Sequence, residues 1–164
     1  MNVSDLMTAA VKACAASDNL QRAAQIMWEN DCGSVPVVES DGRVIGMLTD
    51  RDICMAAYTQ GQPLWQIPIA NAMTKEAYTV RQNDSLEAAE ALMRRAQVRR
   101  VPVLDGDGRL TGIVSMNDLV RHAHQSRGRT DNGLSGDSIA HTLAAICEPR
   151  LATSVKPATA NGER

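Results

Sequence analysis

Residues 34–52 of this chain read SVPVVESDGRVIGMLTDRD, and residues 100–118 read RVPVLDGDGRLTGIVSMND. Pro36 returns as Pro102, Asp41-Gly42-Arg43 as Asp107-Gly108-Arg109, Gly46 as Gly112 and Asp52 as Asp118. Working outward, Met7-Thr8 returns as Met73-Thr74, Asp18-x-Leu20 as Asp84-x-Leu86, and Met27 as Met93, so one offset of 66 residues holds without a gap from Met7 to Asp52. A repeat that keeps register over this length is one structural unit written twice. Two half-sized units predict pseudo-two-fold packing, with any ligand cleft present twice along the seam.

Each unit parses as strand, helix, strand, strand, helix, an α/β chain of the α+β kind. Residues 11–15 and 77–81 are β-prone, and Asp18-x-x-Gln21 and Asp84-x-x-Glu87 have the spacing of capping boxes that open a helix. Leu20, Ala23, Ala24 and Met27 fall on one helical face, as do Leu86, Ala89 and Met93. Residues 34–38 and 100–104 read as buried strands, 40–42 and 106–108 as hairpin turns, and 44–48 and 110–114 as the returning strands. Second helices start at Asp50 and Met116. The expected organisation is a first repeat over 1–60, a linker over 61–68 and a second repeat over 69–124. A polar linker over 125–136, a C-terminal helix over 137–149 and a disordered tail over 150–164 follow. In the last helix Ile139, Leu143 and Ile146 recur at helical spacing, a stripe that docks on its own domain or in a partner's groove.

Composition narrows the function classes. With no Phe, two Trp and two Tyr among 164 residues, the core must be built from Val, Ile, Leu, Met and Ala. A formal charge of −2 supplies no field for steering the molecule onto nucleic acid. No apolar run has the length of a membrane span and no signal-peptide pattern opens the chain, so a cytoplasmic location without membrane contact is expected. Cys14, Cys32, Cys54 and Cys147 are spaced too irregularly for a metal knuckle and read as small buried thiols. His122-x-His124 and the basic residues Arg121, Arg127 and Arg129 read as solvated surface. No paired carboxylates, nucleophile–base pair or Gly-rich phosphate loop can be assembled, so neither an enzyme nor a catalytic cofactor or metal is expected.

The Met-Thr pairs, the two Val-Pro-Val strands and the closing motifs at 46–52 and 112–118 together resemble the cystathionine-β-synthase (CBS) domain, and the tandem resembles a Bateman module. The resemblance implies two repeats packed by their sheets, helices outside, and two clefts at the seam for AMP, ADP, ATP or S-adenosylmethionine. It implies regulation of an unidentified protein target. Each cleft of the family is lined by the closing motif of one repeat and the lead-in segment of the other. Carried onto this chain, that gives a stronger cleft of Thr8, Ala13, Arg99, Arg100, Ser115 and Asp118. The weaker cleft is Gly33, Ser34, Thr49, Asp52, Thr74 and Thr79.

The chemistry suits the assignment. Thr49-x-x-Asp52 and Ser115-x-x-Asp118 place a carboxylate in the first turn of a helix, where it can accept from ribose hydroxyls. The same spacing is also a helix capping box, which forms with no ligand at all. Arg99 and Arg100 favour the nucleotide reading, since guanidinium forks match phosphate and the counterparts Gly33 and Ser34 are not basic. The alternative is a ligand-free scaffold that dimerises and binds a protein partner. Residues 86–97 carry Ala88, Ala89, Ala91, Leu92 and Met93 on more than one face, and Trp28 stands where the second copy has Arg94. That surplus of apolar surface predicts a homodimer through these helices.

Overall fold

The structure, a computed structural model, describes residues 1–9, 11–125 and 134–149. The expected tail at 150–164 and most of the polar linker, with Arg127 and Arg129, lie outside the described residues. Strands β1 (Thr8–Ala9) and β2 (Cys14–Ala15) precede helix α1 (Leu20–Glu29), hairpin strands β3 (Ser34–Val38) and β4 (Val44–Thr49), and α2 (Asp50–Gln60). The second repeat runs β5 (Val80–Arg81), α3 (Leu86–Ala96), β6 (Arg100–Leu104), β7 (Leu110–Ser115) and α4 (Met116–Gln125). Helix α5 (Gly136–Cys147) follows. Among the described residues no helix is long and apolar enough to cross a membrane.

The strands form two sheets, β2-β3-β4 and β1-β7-β6-β5. In each, a short strand lies parallel to the first hairpin strand with a helix crossing between them. Gly42 and Gly108 turn the hairpins with φ of 88° and 81°, a backbone region in which a Cβ is strained. The hairpins meet at the seam, where Leu110 N–H donates to Gly42 carbonyl at 3.0 Å.

The helices begin one residue later than the sequence spacing suggests. Asn19 and Ser85 are the N-caps, accepting from Arg22 N–H at 3.0 Å and Ala88 N–H at 3.2 Å. The Asp18 and Asp84 carboxylates instead accept from Ala15 and Arg81 N–H, at 2.9 and 2.8 Å. Each acid closes the turn that leaves the short strand, and the polar residue beside it inherits the cap.

The lead-in segments cross the seam. Thr8 pairs with Ile113 and Ala9 with Gly112, so β1 is an edge strand of the second repeat's sheet, and Val3 is buried in the second repeat's core. In return, Thr74 N–H donates to Met47 carbonyl at 2.9 Å, and Ile67 and Ile69 are buried in the first repeat's core. Gly46 and Gly112 make the crossing possible. A Cβ on Gly112 would meet Met7 Sδ at 2.6 Å and Thr8 carbonyl oxygen at 2.9 Å. At Gly46 the nearest atom is the Thr74 carbonyl oxygen, closer still and part of the backbone.

Helix α5 lies across α3 and α4, with Ile139 buried in the second core and Leu143 and Ile146 half-buried against it. Ser135 caps it, accepting from Ser138 N–H at 3.0 Å. Glu90 on α3 is 4% exposed and accepts from the Ser138 and Thr142 hydroxyls, the latter at 2.7 Å. The surplus apolar face of α3 is therefore covered by this chain's own α5, with Leu92 packed on the second core, rather than left open for a partner helix. The equivalent face of α1 and α2 carries no such cover among the described residues; Trp28 is 86% and Tyr58 81% exposed.

The expectation of four buried thiols holds for Cys14 alone. Cys32 is half-buried, and Cys54 and Cys147 are exposed because their helices turn those positions outward. Burial, with a smaller push from the Asp18 carboxylate and an opposing pull from Arg22, drives the Cys14 thiol up to about 11.

Gly46→Ala should destabilise the protein by about 1–3 kcal/mol in urea unfolding, and Gly112→Ala by less, because the Met7 side chain can give way and the Thr8 carbonyl stands farther off than the Thr74 carbonyl does at Gly46. Native thiol labelling near pH 8 should give a fast phase from Cys54 and Cys147 and leave Cys14 for the denatured chain. The folded Cys14 value lies above the unfolded one. Its contribution to stability is therefore whole below the ordinary thiol range and falls as the pH climbs towards about 11.

Candidate functional site

The closing motifs form as capping boxes in both repeats. At the start of α2, Asp52 Oδ2 accepts from Thr49 N–H at 2.9 Å and from the Thr49 hydroxyl at 2.7 Å. At the start of α4, Asp118 Oδ2 accepts from Ser115 N–H at 2.9 Å and from the Ser115 hydroxyl at 2.6 Å. One carboxylate oxygen of each acid is thus spent on the fold, and the other decides what the motif can do for a ligand.

Around Asp118 the two repeats enclose a cleft of about 340 Å³, within the range of small-molecule sites. The second repeat supplies Arg100, Ile113, Ser115, Asn117, Asp118 and Arg121; the first supplies Thr8, Val11, Lys12 and residues Asn30, Asp31, Cys32 and Ser34. The crossing of β1 carries Thr8 into it. Asp31, in the cleft lining, stands at a φ of 47°, and its counterpart Gln97 at 53°, so both turns from helix to strand use the left-handed region.

Four of the six residues expected in the stronger cleft, Thr8, Arg100, Ser115 and Asp118, come together here. Arg99 does not. Neighbouring residues entering a strand face opposite sides, so Arg99 turns out to the surface, where its guanidinium lies 3.8 Å from Cys147 Sγ on α5. Ala13 is half-buried just before β2, and the wall runs through Val11 and Lys12 instead.

Of the residues expected in the weaker cleft, Thr49 and Asp52 are half-buried and joined through their capping box. The Thr74 hydroxyl accepts from Met47 N–H at 3.0 Å and donates to Met47 carbonyl at 3.1 Å, which ties the crossing segment to β4. Thr79 is half-buried at the approach to β5. Ser34 lines the Asp118 cleft instead. The starts of β3 and β6 adjoin at the pseudo-two-fold, where a Cβ on Gly33 would lie 3.9 Å from Arg100 Nη1, so a side chain there reaches across the seam. Gly33 itself lines an outer groove of about 410 Å³ between α1 and α2, with Trp28, Asp50 and Ile53.

Three features of the Asp118 cleft escaped the sequence reading. Lys12 and Arg121 are cations whose counterparts are Tyr78 in the second repeat and Met55 in the first, so the repeat comparison held the signal. Arg121 pairs with Asp118 Oδ1 over three residues of α4, and its side chain is largely exposed. Asp52 Oδ1 has no partner among the described residues. Ser34 Oγ, in a residue 6% exposed, has no hydrogen-bond partner among the described residues. Leaving such a hydroxyl unsatisfied costs about 1–3 kcal/mol. Among the described residues no three His, Cys, Asp or Glu side chains gather as a metal site.

Comparison with known proteins accords with this geometry. The family model for the CBS domain matches residues 3–58 and 69–125. The CBS domain-containing protein YhcV of Bacillus subtilis is 36% identical over 140 residues, covering 84% of this chain and 98% of the relative. The crystal structure of Hypoxic Response Protein I with two coordinated zinc ions aligns with a TM-score of 0.68 and 36% identity, over 74% of this chain and 98% of that one. That of CBSX2 in complex with AMP aligns with a TM-score of 0.67 and 27% identity, over 77% of this chain and 98% of that one. Two matched domains, related chains similar over nearly their whole lengths and a shared fold lead to one assignment: the chain belongs to the CBS-domain family, as a tandem pair.

Proposed function

We propose that this chain is a non-enzymatic regulatory protein of the cytoplasm that binds an adenine nucleotide in the clefts between its two CBS repeats. The ligand class is AMP, ADP, ATP or S-adenosylmethionine. The observation that carries the reading is the convergence of Arg100, Asp118, Thr8 and the unpartnered Ser34 hydroxyl on one cleft of nucleoside size. A related structure, CBSX2, was solved with AMP bound, which supports the ligand class. Asp118 is the acceptor for ribose and Arg100 the fork for phosphate, making this the tighter of two unequal sites. The other centres on Thr49, Asp52 and Thr74. Regulation follows from linkage: a ligand touching both repeats favours the arrangement in which both touch it, and the surface read by a protein target shifts with that preference.

We further propose a homodimer. Because α5 occupies the helical face of the second repeat, the dimer forms through the exposed α1 and α2 face of the first, around Trp28 and Tyr58.

Thermal-shift titration with AMP, ADP, ATP and S-adenosylmethionine tests the ligand reading, since a ligand at 100 times its Kd adds about 2.7 kcal/mol to the native state. Asp118→Asn keeps an acceptor for the cap and loses the charge; it should weaken the tight phase in calorimetry about tenfold or more, while Asp52→Asn leaves that phase in place. A midpoint unmoved by all four compounds would leave the ligand-free scaffold as the better account. Trp28→Arg should shift the protein from dimer to monomer in light scattering, and a wild-type monomer at high micromolar concentration would refute the dimer.

A further inference from the structure

The two capping boxes are alike on one carboxylate oxygen and differ on the other. Asp118 Oδ1 is covered by the Arg121 guanidinium, whereas Asp52 Oδ1 has no partner among the described residues and the position equivalent to Arg121 is Met55. We propose that Arg121 is a charge latch that makes the Asp118 cleft selective for anionic adenosine phosphates and leaves the Asp52 cleft to uncharged or cationic adenosine derivatives. This rests on the adenine-nucleotide reading given above.

The argument starts from the acceptor. Asp118 Oδ2 is committed to Ser115, so a ribose diol must be received largely on Oδ1, the atom Arg121 holds. An uncharged nucleoside would have to displace a guanidinium and offer it nothing. A nucleotide displaces it and receives it, because Arg121 lines the same cleft and phosphate oxygens match its fork. The exchange is feasible because the Arg121 side chain is 70% exposed, and a solvent-screened pair between residues one helical turn apart is weak. Asp118, at 9% side-chain exposure, is the buried member of the pair and needs a partner of either kind on Oδ1.

The rest of the cleft agrees. Lys12 and Arg100 add two further cations, against Asp31 as the one other acid in the lining. A sulfonium group would meet three basic side chains there. At the positions equivalent by the repeat, Tyr78 stands for Lys12 and Met55 for Arg121, so nothing at those two positions repels a cation from the Asp52 cleft. The buried, unpartnered Ser34 hydroxyl independently marks the Asp118 cleft as built for a polar ligand.

Calorimetry with ATP and adenosine, in an Asp52→Asn background that disables the other cleft's acceptor, tests the latch. Arg121→Met, which installs the counterpart residue, should weaken ATP about tenfold and tighten adenosine about threefold, with the unfolding midpoint nearly unchanged. The opposite movement of the two ligands is the signature. If ATP weakens and adenosine stays put, weakens or remains undetectable in the variant, Arg121 is a phosphate contact and the latch is refuted while the nucleotide reading stands. If neither ATP nor adenosine binds the chain with Arg121 present, both readings fall together. Met55→Arg in the unaltered background supplies the converse: adenosine binding at the Asp52 cleft should weaken, and unchanged binding there counts against the latch.

Discussion

Everything at the site depends on two lead-in segments crossing the seam, each laid against a glycine of the other repeat. Met7 and Thr8 pass over Gly112, and Met73 and Thr74 pass over Gly46, at separations that leave no room for a Cβ. The crossing moves Val3 into the second core and Ile67 and Ile69 into the first, so neither repeat has a complete core of its own. Burying these side chains contributes on the order of 1.5–3 kcal/mol apiece, enough to make the pair one cooperative unit rather than two tethered halves. The same crossing brings Thr8 and Lys12 to Ser115 and Asp118. The cleft is thus a consequence of how the core is closed.

Symmetry supplies the two clefts, and departures from it set them apart. The backbone of the two halves is nearly interchangeable, down to the left-handed residues Asp31 and Gln97 at equivalent positions. The side chains are not. Lys12, Arg100 and Arg121 gather on one side of the seam, while Tyr78, Ser34 and Met55 occupy the equivalent positions. The second departure is α5, which packs on α3 and α4 of the second repeat. Glu90, where the first repeat has Ala24, is part of the reason: its buried carboxylate takes two hydroxyl bonds from α5 that Ala24 could not take. Gln97, at the equivalent of the cleft residue Asp31, donates to Ala145 carbonyl on α5 at 2.9 Å, so the added helix reaches a residue pseudo-equivalent to a wall of the Asp118 cleft.

Resemblance to the CBS family, rather than any local pattern, pointed to Ser115, Asp118 and Arg100 as cleft residues. The sequence alone determined the repeat, the two Val-Pro-Val strands with their hairpins and the second helix of each unit with its capping motif. These are local or periodic properties: strand alternation, a turn that needs Gly, a carboxylate three residues after a hydroxyl. They are written in adjacent residues and written twice. Only the tertiary structure decided which capping residue was used at α1 and α3, that Arg99 faces outward while Arg100 faces in, and that Ser34 crosses the seam to Asp118. It alone showed that α5, rather than a partner, covers α3, and that Cys54 and Cys147 are exposed. Each of those depends on which side of an element faces which neighbour, and on contacts between residues far apart in the chain. A pattern repeated at 66 residues cannot specify such contacts, because the repeat is the same on both sides of the seam and the contacts are not.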